Sequence, residues 1–340
     1  MRSMWKETTA HERNLRIFQE ELDSFLPRTI LDFHLHAFPP GALSAGETFS
    51  CGGHPIDSYD LAELSADLEK VYPGRKVSAV CFGLPFPRYD RKRTDEYLAR
   101  ECDRKRFFPL KLFDPHEETA ESLQRDLVSK RFFGIKPYPD FARKADVSAV
   151  EIPEMLPAWA MEVVNGLGLI VMLHIPRQGR LADPLNQRQI AELCRSYPRA
   201  KIVLAHIGRA YFLKNVVGNI EPLSVFPNLY FDLAMVQSWE VLEHCFAKVD
   251  GSRFLYGTDI PIALAPGKSV EINDQYTYVT PVPWELSLSD DHRKLVFASF
   301  LYEELRAIKK AALRLDLPRS WVEGLFHGNG MRLLESVNMS

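Results

Sequence analysis

The chain has 340 residues, 46% hydrophobic and 26% charged, with a net charge of −3, enough for a large core and unlike a disordered or fibrous polymer. A slightly acidic balance gives no field for a nucleic-acid partner. No apolar run nears the roughly 18 residues that cross a bilayer, and the opening MRSMWKETTAHERNLRIF has neither the apolar centre nor the cleavage site of a secretory signal. Cys51, Cys81, Cys102, Cys194 and Cys245 are odd in number and never form a Cys-x-x-Cys pair. They point to a reducing compartment, the cytoplasm, and away from a disulfide framework or a thiolate zinc site.

In chain order, ERNLRIFQEELDSFL (12–26) reads as a helix, so residues 1–27 form an N-terminal helical segment ahead of a domain spanning 28–340. Eight short β-rich apolar runs follow: 28–36, 76–83, 106–114, 131–138, 168–175, 200–208, 228–235 and 252–261. Helical patterns lie between them at 60–72, 117–130, 153–168 and 186–197; in the last, Ile190, Leu193 and Cys194 share one face. The basic cluster Arg88, Arg91, Lys92 and Arg93, interrupted by acids, reads as a solvated loop. Residues 262–290 read as a long loop, 290–317 as a strong helix, and a short helix ends near 328–334. Strand then helix, repeated, means parallel strands joined by crossovers. Strands apolar on both faces are those buried between a core and a helical layer. Eight such units predict a single-domain α/β fold, a (β/α)8 TIM barrel, better than an open doubly wound sheet, and no Gly-x-Gly-x-x-Gly follows the first strand.

Chemistry gathers at the strand ends. His34 and His36, two apart on strand one, point to one face at the end where barrel enzymes place their sites. Asp32 shares that face one step deeper and could orient a ligand. His174 ends strand five, His206 strand six and Asp259 strand eight, and only the mouth of a closed barrel brings these ends together. The remaining histidines fall in loops or helices. Imidazoles and a carboxylate suit one divalent metal ion, zinc first, with iron or manganese as alternatives.

The segments DFHLH (32–36), GIKPYP (134–139), LHIP (173–176), AHIGR (205–209), GTDIP (257–261) and GLFHGNGMRLL (324–334) resemble, in order, those of the amidohydrolase superfamily, in the branch called amidohydrolase family 2. That branch contains lactonases and other hydrolases, non-oxidative decarboxylases of aromatic or unsaturated acids, and a hydratase. The resemblance implies that His34, His36, His174 and Asp259 hold one metal, with His206 beside it. Three neutral imidazoles, a carboxylate and a hydroxide offset a +2 ion, so no further anionic ligand is demanded. Asp259 then doubles as the base for water, and His206 steadies the oxyanion or protonates the leaving group.

Lys136 ends strand four, where two-metal relatives carry a carbamylated bridging lysine. The branch favours one metal, which makes Lys136 a substrate-side residue. Arg177, Arg180 and Arg209 follow strands five and six, and arginine grips carboxylates in bidentate fashion, so Arg177 and Arg209 join Lys136 as substrate-binding candidates for an organic acid. Phe38, Tyr138 and the aromatics of 262–290 could wall the pocket. The leading expectation is a metal-dependent hydrolase of a small carboxylic ester, lactone or amide. The rival is a metal-dependent decarboxylase; such members often carry glutamate where this chain has His34. A barrel deoxyribonuclease shares the strand-eight TDxP but needs an acid where Lys136 stands, and a non-catalytic binder would not need the full ligand set. Relatives are frequently oligomers, which extends the expectation to a homo-oligomer using the 262–290 segment and the C-terminal helix.

Overall fold

Eight parallel strands close on themselves in the computed structural model, which describes residues 8–44, 46–86 and 89–337. The strands are β1 (Thr29–His36), β2 (Lys76–Phe82), β3 (Phe107–Pro109 and Lys111–Phe113), β4 (Gly134–Pro137), β5 (Ile170–Leu173), β6 (Lys201–Leu204), β7 (Leu229–Asp232) and β8 (Phe254–Leu255). Each pairs in parallel with the next, from Thr29 against Lys76 round to Asp232 against Leu255. Pro109 has no N–H to donate, and β3 is split beside it; Leu110 N–H still reaches the Cys81 carbonyl at 2.9 Å. The ring shuts where Phe33 N–H donates to Tyr256 O (2.7 Å), Asp259 N–H to His34 O (2.8 Å) and His36 N–H to Ile260 O (2.8 Å). This is the TIM barrel expected from the strand count.

The outer layer comprises α2 (Leu61–Val71), α3 (Arg91–Glu101), α4 (Ala120–Ser129), α5 (Ala158–Leu167), α6 (Pro184–Ser196), α7 (Trp239–Lys248) and α8 (Phe300–Arg314), outside an N-terminal α1 (Thr8–Ile17). Local chemistry sets their ends. Asp60 and Glu63 form a capping box on α2, Asp183 caps α6 with Pro184 in its first turn, and Gly168 closes α5 at φ 68°. After β6 the chain forms only short turns before β7, among the described residues. The N-terminal segment continues α1 as a wide turn, Phe18–Leu22, whose Phe18 and Leu22 are buried in the same apolar cluster as the strands. Residues 1–7 of that segment, Arg88 and the last three residues of the 28–340 domain lie outside the described residues.

Three expectations are corrected. Arg91, Lys92 and Arg93 open α3, and Arg91 is buried, paired with Asp114 (3.0 Å) and Glu117 (2.6 Å). Its charge is neutralised by acids that follow β3, more than 20 residues on, which local sequence could not reveal. The helix expected over 290–317 begins at Phe300 because Phe300 N–H bonds Ala265 O and Ala298 O accepts Gly267 N–H, which holds that stretch extended. The 262–290 loop contains a sheet of β9 (Lys268–Ile272), β10 (Gln275–Thr280) and β11 (Ser287–Ser289). Its hairpin turns at Asn273 and Asp274, both with positive φ, the pair of conformations a two-residue hairpin loop requires.

Candidate metal centre

Period-two alternation on β1 sends His34 and His36 to the barrel mouth. Asp259, just past β8, arrives beside them through the closing bonds to β1. Gly257 is obligatory at this seam, since a side chain there would place its Cβ 2.9 Å from His34 Cβ. His206 follows β6 in a turn where His206, Ile207, Gly208 and Arg209 all have φ between 52° and 67°. Left-handed backbone costs an L-residue about 1–2 kcal/mol, and here it aims the His206 ring at His34, 4.7 Å away between centroids.

The hydrogen bonds determine the tautomers. His34 Nδ1 lies 3.0 Å from Asp232 Oδ2, His36 Nδ1 2.7 Å from Gly83 O, and His206 Nδ1 2.8 Å from Ala234 O. An acceptor on Nδ1 draws the proton there and leaves Nε2 as a bare lone pair. Asp259 Oδ1 stands 3.0 Å from His36 Nε2 and 3.7 Å from His34 Nε2, yet it is buried with no aligned hydrogen bond. Ligand atoms from His34, His206 and Asp259 all lie within 4.8 Å of one another. Acceptors that face one another without a donor repel, and a shared cation removes the conflict. Around tetrahedral zinc, at 2.0–2.2 Å from the ion, ligand atoms stand roughly 3.3 Å apart. The donor set therefore fits a divalent metal.

Burial dominates the electrostatics. It pushes His34 down to about 3, with Lys136 adding to the fall, and also lowers His174 and His206, so these three imidazoles are neutral, as ligands must be. Burial works to raise Asp232, but the adjacent His34, which donates its Nδ1–H, outweighs it and holds Asp232 below the usual carboxylate range.

His174 lies at the edge of the cluster, its ring 5.3 Å from His206 and 5.5 Å from Tyr138, with a buried Nδ1 that lacks a partner. Lys136 is fully buried. Its Nζ has no hydrogen-bond partner and sits 4.7 Å from the Phe82 ring centre and 5.0 Å from that of Tyr138. Burial brings it down to about 7, against the upward pull of Asp232 and Asp259. Arg177 is engaged by Asp183 at 3.0 Å, and Arg209 donates to the carbonyls of Ile175 (3.3 Å) and Arg177 (3.2 Å). Asp32 does not touch a ligand ring. It takes the backbone N–H groups of His34 and Thr258 and the Thr258 hydroxyl, holding β1 to β8, and burial raises it to about 8.

Two acids escaped the sequence reading. Asp232 ends β7 as visibly as His206 follows β6, and the strand-end rule applied to NLYFD would have found it. Glu304, on α8, accepts Met235 N–H at 2.8 Å. That N–H and the Ala234 carbonyl holding His206 belong to one peptide group, so Glu304 steadies His206 through it; no local pattern marks such a role.

The comparisons with known proteins agree with this fold. The sequence matches the amidohydrolase family over residues 32–335. This chain belongs to the amidohydrolase family. Its members are metal-dependent enzymes. A search of curated proteins finds no match. Among solved structures, 5-carboxyvanillate decarboxylase from Sphingomonas paucimobilis superposes with a TM-score of 0.56 at 12% identity, covering 91% of this chain and 99% of that one. A zinc-bound amidohydrolase from Burkholderia multivorans gives 0.55 at 15% identity, covering 90% and 99%. A probable 2-pyrone-4,6-dicarboxylic acid hydrolase from Acinetobacter baumannii, with citric acid bound, gives 0.52 at 11% identity, covering 90% and 99%. At such identities the likeness is one of fold. No helix among the described residues is long and apolar enough to cross a membrane.

Proposed function

We propose that this amidohydrolase cleaves a small carboxylic ester, lactone or amide of an organic acid, with His34, His36, His174 and Asp259 holding one divalent ion, zinc in the first instance. The observation that carries the reading is that His34 and His36, whose Nδ1 atoms are already tied to acceptors, turn their Nε2 atoms to the Asp259 carboxylate. The orphaned Nδ1 of His174 supports its inclusion. His206 is assigned to the substrate side because its ring also borders Tyr211, 6.1 Å away, and so faces both the cluster and the aromatic wall beyond it.

When bound, the ion supplies a Lewis acid and eases deprotonation of water. Asp259 accepts the proton of the attacking water. His206, fixed by Ala234, presents its unprotonated Nε2 on the substrate side and relays the proton that Asp259 takes from water to the leaving oxygen or nitrogen. Lys136, dry and without an acid partner, stabilises negative charge on the substrate. The buried, unpaired cysteines suit the cytoplasm.

Decarboxylation is the second reading, favoured by the likeness to 5-carboxyvanillate decarboxylase. One experiment tests both: elemental analysis of purified protein, then a screen of lactones and aromatic acids with acid release and carbon dioxide read together. Stoichiometric metal with acid release and no carbon dioxide is expected. Carbon dioxide release selects the lyase, and protein that binds no divalent metal overturns both.

A further inference from the structure

Of the three arginines that follow strands five and six, Arg180 is the one whose side chain makes no hydrogen bond or ion pair among the described residues while keeping a buried donor, Nη1, unmet. Arg177 and Arg209 are taken up by Asp183 and by backbone carbonyls. The Arg180 guanidinium lies 5.0 Å from the Tyr211 ring centre, 5.7 Å from that of Phe212 and 5.1 Å from that of Tyr276. Rings on several sides pre-position it. Its Nη1 is buried without a hydrogen bond and no acid pairs with it among the described residues; the buried Tyr276 hydroxyl has no aligned partner and meets the Tyr278 hydroxyl, so the two phenols share one bond and leave one O–H to donate. A buried donor left unmade calls for a partner such as a ligand, an ion or a water, and at Arg180 it coincides with a cation held between aromatic rings. Tyr276 comes from β10 of the inserted sheet and stacks on Tyr211 at 4.1 Å and 15°. Tyr211 in turn borders His206, so one continuous wall runs from the metal centre to Arg180. Along it, the Tyr211 and Tyr278 hydroxyls feel both Asp259 and the Arg180 and Arg209 charges.

We infer that Arg180 and Tyr276 form a subsite for an anionic group of the substrate, a carboxylate at the end remote from the reacting carbonyl. The guanidinium supplies charge and the phenol a second donor, the pair a carboxylate accepts. The substrate is therefore an acid whose charge survives the reaction, and the inserted sheet is the element that selects it. Only the position of the reacting group rests on the hydrolase reading.

Calorimetric titration of the purified, metal-containing protein with dicarboxylates (malonate to adipate, and isophthalate) and their monocarboxylate counterparts tests this. Wild type should bind at least one dicarboxylate about tenfold more tightly than its counterpart. R180Q should reduce that preference to within twofold and leave the monocarboxylate unchanged; Y276F should reduce it severalfold. R180K, which keeps the charge, should retain part of it and serves if R180Q does not fold. A wild type without any preference, or R180Q with the preference intact, overturns the subsite. Repeating the titration after chelation separates the two readings. A preference that depends on Arg180 and survives metal removal upholds the subsite even if the catalytic reading fails.

Discussion

Asp232 holds Nδ1 of His34 at 3.0 Å through one carboxylate oxygen, and its other oxygen takes the backbone N–H of His206 at 2.9 Å. One acid thus orients a ring on β1 and the turn after β6. Carboxylate partners of this kind fix ligand rings, and their loss typically weakens metal binding 10- to 100-fold. Asp232→Asn should show a loss in that range in a chelator competition assay, with the circular dichroism spectrum unchanged.

His206 and His36 should separate. His206→Ala is expected to keep its metal and lose roughly 10²–10⁴-fold in kcat, the span of general acid–base catalysis. His36→Ala should lose the metal as well. Elemental analysis beside kinetics checks both, and loss of metal from His206→Ala would move that ring among the ligands.

Gly134 opens β4 where the backbone of β5 passes close by. A Cβ there would stand 2.0 Å from the Ile170 carbonyl oxygen, a backbone atom held by the barrel. Gly134→Ala should destabilise the fold by about 3 kcal/mol or more, the upper end for overpacking, seen as a fall in Tm.

Away from the site, Glu118 lies with Asp95 and Asp126 around the buried Lys111. Burial raises Glu118 to about 7, with Lys111 opposing and Asp95 adding to the rise. A carboxyl with a folded pKa above its unfolded value stabilises the fold fully below the unfolded value, near 4.5, and loses that contribution as pH climbs through about 7. Wild type should therefore lose stability relative to Glu118→Gln between pH 4.5 and 7.5, by ~1–3 kcal/mol, in denaturant titrations across that window.

Much of this was visible in one dimension because barrel strands are short, apolar on both faces and regularly spaced, and chemistry on such a scaffold sits where strands end. His34, His36, His174, His206 and Asp259 were legible for that reason. Asp232 was equally placed but overlooked. The Asn273–Asp274 turn between alternating residues was a hairpin signal inside what read as a loop.

Composition and periodicity alone determined the closed barrel and the ligand-type residues at its rim, because both follow from short-range pattern. Tertiary structure alone decided which nitrogen of each imidazole is free, that Arg91, Arg177 and Arg209 are engaged while Arg180 is not, and that Glu304 reaches the peptide behind His206. Those outcomes depend on partners from 6 to more than 60 residues away, across strand ends and loops. Hydrogen bonds and burial at such junctions follow distance in space, which no local pattern encodes.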